Sequence, residues 1–494
     1  MAKVQQAKAA REQIIMEKGL GVGAVVWMVW HMLFTFMRHF LAPENAIGKS
    51  SVAMALFNIE RWFGFALIMA AVCYLVFTLV KYPRTWYRVQ GFFRRLRCKE
   101  MGVLLGLYGY YLLVCVVHTG KYTNIFPSND VYLMDLLVSF GLLFALPLLM
   151  GKNTKKIVDG MLHIVMVVST GFIVWALWHV FQLHVVELPN GLQLGMTEGY
   201  SLYAGVNQNI GAAIGTTMVM ICLYMLCSQR WPLKIAYGLA LIPHTIATLL
   251  TNSRGNFLAL WIAFSLMVFM LVWNRLEKKN LPFRIAASVA AAAGMAVLFY
   301  FLRGWVFEGF EAITHFKAQL TGAATGGSGG QAALDAVGQA ALDAVRENLE
   351  LDEARAKIWH ASLAYMVSSP RAFFFGVPGG LIPQTIKDSM AAIYGTSGMY
   401  AHAHNMILQT GLMLGVPGML GFLALLVMLF VRSLRVVFGK GRAHTPGAWA
   451  LPIGIAAMLA VNMFEPFLMF YLSVMGCLFF LYCGWVVALD RGVK

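Results

Sequence analysis

Residues 400–421 read YAHAHNMILQTGLMLGVPGMLG, and the interpretation of the whole chain starts from this stretch. His402, His404 and Asn405 stand directly before an apolar segment with glycines at positions 411, 415, 418 and 421. Small residues let helix backbones approach closely in a membrane, and ionisable groups at its boundary are candidates for function. The pattern favours a polar site at a membrane–water boundary. The alternative is a short polar loop that leads into an ordinary membrane span.

The composition is that of a polytopic membrane protein. Of the 494 residues, 60% are hydrophobic and 12% are charged, whereas soluble domains carry about 25% charged residues. About twelve apolar runs are long enough to cross a bilayer as helices. They lie near 20–37, 62–80, 101–118, 131–150, 158–180, 208–227, 235–251, 256–273, 285–302, 408–431, 449–464 and 467–488. We therefore expect an all-α polytopic membrane protein with about twelve transmembrane helices and one large, partly helical loop.

The distribution of charge predicts the orientation. Although the net charge is +16, most of the 38 lysines and arginines fall in segments on the same side as the amino terminus. Cytoplasmic segments of membrane proteins carry this excess, so both termini are expected inside. The densest basic stretch, 81–100, alternates with aromatic residues and is interpreted as facing anionic membrane lipids. We expect membrane lipids and no nucleic acid as partners.

This topology divides the chain into three regions. Residues 1–302 form an amino-terminal membrane region of about nine spans, and 303–405 form the large outside loop. Residues 406–494 form a carboxy-terminal membrane region of about three spans. Within the loop, a Gly/Ala-rich tract at 321–345 is an insertion to which no function is assigned.

Among the cationic and imidazole groups of the outside segments, four are the leading candidates: Arg254, Arg355, His402 and His404. Arginines neutralise an anionic leaving group, and a histidine near its usual pKa handles a proton. Transfer of a glycan from a lipid pyrophosphate needs both kinds of group. Other readings are open: Arg254 reaching to the membrane interface, His404 capping the next helix, and an ion pair between Arg355 and a carboxylate at position 352 or 353.

Four further residues are candidates for binding substrate. Lys121 is the only basic residue of its outside loop, Asn207 precedes a helix start, Trp359 follows Arg355 by one helical turn, and Asn405 adjoins His404. An asparagine at a helix start also serves as a cap, so contact with a sugar and a purely structural role both stay open for Asn207.

Two spaced motifs resemble those of a known family, the bacterial O-antigen ligases. Arg254 and Leu258 match the R-x3-L motif of the family. His404, Asn405, Gly415 and Gly418 match its H-[NSQ]-x9-G-x-x-G motif. The resemblance extends to the topology of nearly the whole chain, with about twelve spans and one large periplasmic loop late in the sequence.

The resemblance implies an enzyme of the Gram-negative inner membrane with a periplasmic active site. Its donor would be a glycan linked to undecaprenyl pyrophosphate, and its acceptor a sugar of the lipid A–core. His404, Arg254 and Arg355 would be catalytic, with no cofactor and no metal. The first outside loop agrees with this, because it lacks the paired acids with which related membrane glycosyltransferases hold a divalent metal.

Other functions share parts of this site. O-antigen polymerases and protein O-oligosaccharyltransferases belong to the same superfamily and handle the same pyrophosphate. A transporter of lipid-linked glycans would bind the donor without chemistry, although no internal repeat of the kind seen in many transporters is visible.

Overall fold

The structure is a computed structural model that describes most of the chain. The described residues are 18–31, 51–81, 86–118, 129–182, 208–325, 353–396, 402–439, 447–468 and 473–492, with three short strands and positions 4 and 400. They are nearly all helical, as the sequence predicts. Eight helices in this part of the chain are long and apolar enough to cross a membrane. Each predicted apolar run overlaps a helix of the structure, whereas the exact number of crossings stays a prediction.

Seven α-helices precede the strands in the described part of the chain. They are α1 (18–31), α2 (Ser51–Lys81), α3 (Trp86–Leu96), α4 (Lys99–Val117), α5 (Asn129–Leu137), α6 (Ala145–Met150) and α7 (Thr154–Gln182). A π-helical segment, Val138–Phe144, joins α5 to α6, so that these elements form one continuous apolar span.

A small sheet follows α7 and is a feature that the sequence reasoning did not include. Strands β1 (Val186–Glu187), β2 (Gln193–Thr197) and β3 (Ser201–Ala204) pair antiparallel in that order. Leu202 on β3 is buried in a satellite cluster with Leu177 and Leu250, near the ends of α7 and α9. The sheet is therefore anchored to the helix ends.

The carboxy-terminal part holds the remaining helices. They are α8 (Gln208–Ser228), α9 (Trp231–Leu250), α10 (Arg254–Arg275), α11 (Leu281–Thr325), α12 (353–367), α13 (Pro370–Phe375), α14 (Ile382–Tyr394), α15 (Met406–Phe438), α16 (Ala450–Asn462) and α17 (Val474–Asp490). Helix α11 continues through position 303, where the large loop is predicted to begin.

Helix α17 lies at the centre of the bundle. Every residue from Val474 to Ala488 is buried, which is typical of a helix that is apolar on all sides. Gly484 packs directly on the backbone of the π-helical segment: a Cβ at this position would lie 2.1 Å from the carbonyl oxygen of Phe144. A side chain larger than hydrogen would therefore push the two elements apart.

Helix α15 is interrupted at Gly415, which has φ 65° and ψ −177°. Helix α13 packs into the interruption, because a Cβ on Gly415 would lie 2.4 Å from the Phe374 carbonyl oxygen. The Val377 amide donates to the carbonyl of Leu412 at 2.7 Å. Gly418 gives room to the displaced turn, since its Cβ would lie 2.0 Å from that of Leu414. The two glycines of the second motif thus shape the break in this helix.

Candidate active site around Glu465

The site is built around a buried acid, Glu465, in the turn after α16. The Glu465 residue is 5% exposed. Its amide donates to the Val461 carbonyl at 3.1 Å. The side chain of Asn462 fixes the turn by donating to the Met458 carbonyl at 2.7 Å and accepting from the Leu468 amide at 2.8 Å. The turn therefore holds the carboxylate inside the protein.

Both histidines of the 400–421 stretch face this carboxylate. His404 Nδ1 lies 3.2 Å from Glu465 Oε1, and His402 Nε2 lies 3.8 Å from Oε2. The ring centroids of His402 and His404 are 4.2 Å apart. The His404 amide also contacts His402 Nδ1 at 3.4 Å. Each imidazole thus presents one nitrogen to one carboxylate oxygen.

The backbone before α15 sets the position of these rings. Asn405 caps the helix, because its side-chain oxygen accepts from the amides of Ile407 and Leu408 at 2.9 and 3.1 Å. Its Nδ2 donates to the Met463 carbonyl at 3.1 Å, which joins the cap to the turn of Glu465. His404 has φ 49°, a left-handed conformation that is uncommon outside glycine and is often found at functional sites.

Two further donors reach the same carboxylate oxygen from distant helices. Arg355 Nη2 on α12 lies 3.3 Å from Glu465 Oε1, and Asn209 Nδ2 on α8 lies 3.2 Å from it. The Glu353 carboxylate pairs instead with Lys357 at 2.6 Å. Arg355 is therefore directed at Glu465 while Glu353 has a lysine partner one turn along its own helix.

The cluster shifts the pKa of two of its members. Burial alone raises the pKa of Glu465, but the hydrogen bond from His404 and the electrostatic effects of both histidines and Arg355 outweigh burial and hold the pKa below its ordinary value. Burial lowers the pKa of His402 to about 4.

Arg254 lies next to this turn, at the first position of α10. The arginine is exposed. The following residue, Gly255, packs on the turn, because a Cβ there would lie 3.2 Å from that of Phe464. Asn256 is fully buried and links Ser253 to Thr216 on α8, through hydrogen bonds of 2.9 and 2.8 Å. Arg254 and Glu465 are therefore the sequence neighbours of two residues that pack together, Gly255 and Phe464.

A further arginine, Arg303 on α11, stands beside Arg254. Its Nη2 donates to Asn252 Oδ1 at 2.9 Å, and its guanidinium carbon lies 5.0 Å from the centre of the Phe257 ring. The two guanidinium groups are close enough to repel each other electrostatically. An anion between them would relieve that repulsion.

The structure describes two of the four remaining candidates for binding substrate. Trp359 lies one turn after Arg355 on α12. Its indole Nε1 is buried without a hydrogen-bond partner among the described residues. Both polar atoms of the Asn405 side chain are used within the protein. Lys121 and Asn207 lie outside the described residues.

The two histidines and Glu465 have the spacing of a cation site. One ligand atom from each, and all three within 4.8 Å of one another, would suit a divalent metal. Arg355 and Asn209, however, both donate to the carboxylate oxygen that faces His404. A metal bound there would lie beside a guanidinium, so the geometry favours a hydrogen-bonded acid over a metal centre.

Sequence reasoning missed Glu465 and Arg303. One signal could have found the first: Glu465 is the only acidic residue between positions 400 and 489. An isolated carboxylate at the end of an apolar run is a functional candidate. Arg303 carries no such signal, because only the packing of α11 brings it to the site.

The comparisons with known proteins agree with these motifs. Residues 238–423 match the family model described as O-antigen ligase. The matched segment contains Arg254, Arg303, Arg355 and the 402–405 stretch, whereas Glu465 and Asn209 lie outside it. A search of curated proteins finds none that matches the chain. The matched segment supports membership of the O-antigen ligase/polymerase superfamily.

Proposed function

We propose that the protein moves an O-antigen glycan from undecaprenyl pyrophosphate to a sugar of the lipid A–core. The reaction takes place on the periplasmic face of a Gram-negative inner membrane. Membership of the superfamily supports glycosyl transfer of the ligase or polymerase type. The choice of ligase rests on the description of the matched family and on the two spaced motifs.

The observation that carries the proposal is the convergence of three distant stretches on Glu465. His402 and His404, Arg355, and the start of α10 with Arg254 all lie at or next to the turn that holds this acid. Cations together with imidazoles match a reaction that releases an anion and in which the acceptor hydroxyl gives up a proton to a base.

The chemistry can be written with these groups alone. The oxygen of the acceptor hydroxyl attacks the anomeric carbon of the donor glycan. The bond between that carbon and the phosphate oxygen breaks, and undecaprenyl pyrophosphate leaves with the bonding electrons. The hydroxyl proton passes to His404 as general base. Arginines neutralise the charge that develops on the leaving group.

Among the arginines, Arg254 and Arg303 form the proposed pyrophosphate clamp. Guanidinium groups bind phosphate oxygens through two parallel hydrogen bonds, and Arg254 is near enough to Arg303 to affect it electrostatically. Arg355, which donates to Glu465 Oε1 at 3.3 Å, adds a third positive charge beside the same turn.

The proposed sugar contacts have unequal support. Trp359 offers an indole N–H that no described residue accepts. His402 stands at the carboxylate, and Asn405 is already engaged as a helix cap. Lys121 and Asn207 stay predictions from the sequence.

A direct experiment tests which acceptor receives the glycan. Purified protein in detergent is given a donor glycan on undecaprenyl pyrophosphate and one of three acceptors: lipid A–core, a second lipid-linked glycan, or a Ser-rich protein. We expect transfer to lipid A–core. Elongation of the lipid-linked glycan would instead show a polymerase, and modified protein an oligosaccharyltransferase. Donor binding without transfer to any acceptor would contradict an enzyme.

A further inference from the structure

We propose that Glu465 is a positioning residue that holds His404 in the tautomer required of a general base. In this tautomer Nδ1 carries the proton and donates it to Glu465, while Nε2 is the basic nitrogen. The inference rests on the proposed function, because it assigns a role to Glu465 in the same proton transfer.

The hydrogen bonds on the carboxylate determine the tautomer. An ionised carboxylate accepts hydrogen bonds and donates none, so the ring nitrogen of His404 that faces Oε1 at 3.2 Å must carry hydrogen. A neutral imidazole has one N–H. The other ring nitrogen of His404 is therefore left with its lone pair.

His402 gives independent support for an acceptor carboxylate at this place. Its Nδ1 faces the backbone amide of His404, a donor, at 3.4 Å. The single N–H of the neutral His402 ring is therefore on Nε2, the atom 3.8 Å from Glu465 Oε2. Both histidines thus direct an N–H at the same buried acid, one at each oxygen.

The surroundings of Glu465 keep it ionised while it does this. Arg355 and Asn209 donate to Oε1 at 3.3 and 3.2 Å, and a buried carboxylate without such donors would take up a proton. An ionised acid beside the ring also stabilises the imidazolium that forms when His404 receives the proton from the acceptor. Partners that orient a ring in this way raise its basicity.

The competing explanation is that Glu465 only ties α12 to α16 through Arg355. A double-mutant cycle separates the two roles. We expect Glu465→Gln to lower kcat about 100-fold or more, in the range of a lost acid–base contribution, with little change in the KM for donor. In a His404→Gln background, the same substitution should change kcat less than about threefold, because the base is already absent.

The pH profile adds a second readout that a purely structural tie does not move. Among the described residues, the charged and titratable groups in contact with His404 or with its carboxylate partner are Glu465, His402 and Arg355. Removal of the one negative charge among them disfavours the imidazolium. The acidic limb of kcat/KM for Glu465→Gln should therefore shift to lower pH, whereas Arg355→Gln should not shift it in that direction.

The cycle is run with whichever acceptor the wild-type protein uses. A wrong prediction of the acceptor therefore does not affect the test of the positioning role of Glu465. Folding is checked by gel filtration in detergent, and Glu465→Asp replaces Glu465→Gln in the cycle where the amide variant does not elute as a single species. A residual kcat effect below about threefold in the His404→Gln background supports the positioning role. Losses that multiply in the double variant, with an unshifted acidic limb, would overturn it.

Discussion

The two ends of the bundle each contain a buried acid, and the two acids have different partners. At the end opposite the 402–405 stretch, Glu100 is 2% exposed and accepts from Arg432 Nε at 2.8 Å. Arg432 also pairs with Asp490, which has Arg435 at 3.7 Å. Glu465 is matched by Arg355 and by two histidines, with Arg254 and Arg303 close by.

The difference lies in the balance of charge. At the Arg432 end, two carboxylates face two arginines, and the ion pairs tie α4, α15 and α17 together. Among the described groups at the Glu465 end, the carboxylate pairs with Arg355, and Arg254 lies next to its turn, so arginines outnumber this acid. Helix α15 connects both clusters. A balanced cluster holds helices in place, while an excess of cations provides a site for an anionic ligand.

The largest expected effect concerns His404. His404→Ala should lower the rate of transfer by about 10²–10⁴-fold, the usual contribution of an acid–base group. His404→Gln retains hydrogen bonding but does not accept a proton, so it should be nearly as inactive. His360 on α12, which bonds to Tyr394 OH at 2.7 Å, gives the matched control His360→Gln with unchanged turnover. Near-normal activity of His404→Gln would leave His404 only an orienting role.

A somewhat smaller effect is expected at Arg254. Arg254→Lys keeps the charge and loses the paired hydrogen bonds to phosphate. The loss of a charge-assisted hydrogen bond is worth about 1.5–3 kcal/mol, which corresponds to about 10–100-fold in kcat/KM for donor. Arg371→Lys is the control, since Arg371 donates to the Val117 carbonyl at the same end of the bundle. Equal losses in both variants would argue against a clamp at Arg254.

At the Arg432 end the same type of change should alter stability and not chemistry. Arg432→Gln leaves Glu100 buried without its counter-charge and should destabilise the protein by about 3–5 kcal/mol. Arg435→Gln removes a more exposed partner, whose side chain is 60% accessible, and should cost less than about 1 kcal/mol. Denaturation in detergent measures both. A folded Arg432→Gln protein with normal stability and lost turnover would contradict a purely structural role for the Arg432 end.

The smallest effect is the pH dependence of stability that His402 produces. Its pKa is about 4 in the folded protein and about 6.5 when unfolded, so the unfolded state binds more protons between these values. Stability should therefore fall as the pH drops from about 6.5 to about 4. His402→Gln should flatten the slope of melting temperature against pH in that window. An unchanged slope would mean that His402 is solvated in the folded state.

The sequence was sufficient for the helices and for part of the site. Apolar runs identified the helical segments, and the two motifs identified Arg254 and His404, which lie on either side of the same turn. Glu465 was not found, because its importance comes from contacts with residues that are 61, 110 and 256 positions away. The break at Gly415 was also not predicted, since an apolar run with glycines and a proline fits a continuous span as well.

The measurement that tests the account most directly is glycan transfer in excess EDTA. Purified protein, lipid-linked donor and lipid A–core are incubated with and without the chelator, and the glycan-bearing product is quantified. If arginines neutralise the leaving group, the rates in both conditions should be equal, and His404→Gln should form product about 10²–10⁴-fold more slowly. Activity that EDTA removes and that Mg²⁺ or Mn²⁺ restores would contradict it, and would identify His402, His404 and Glu465 as ligands of a metal.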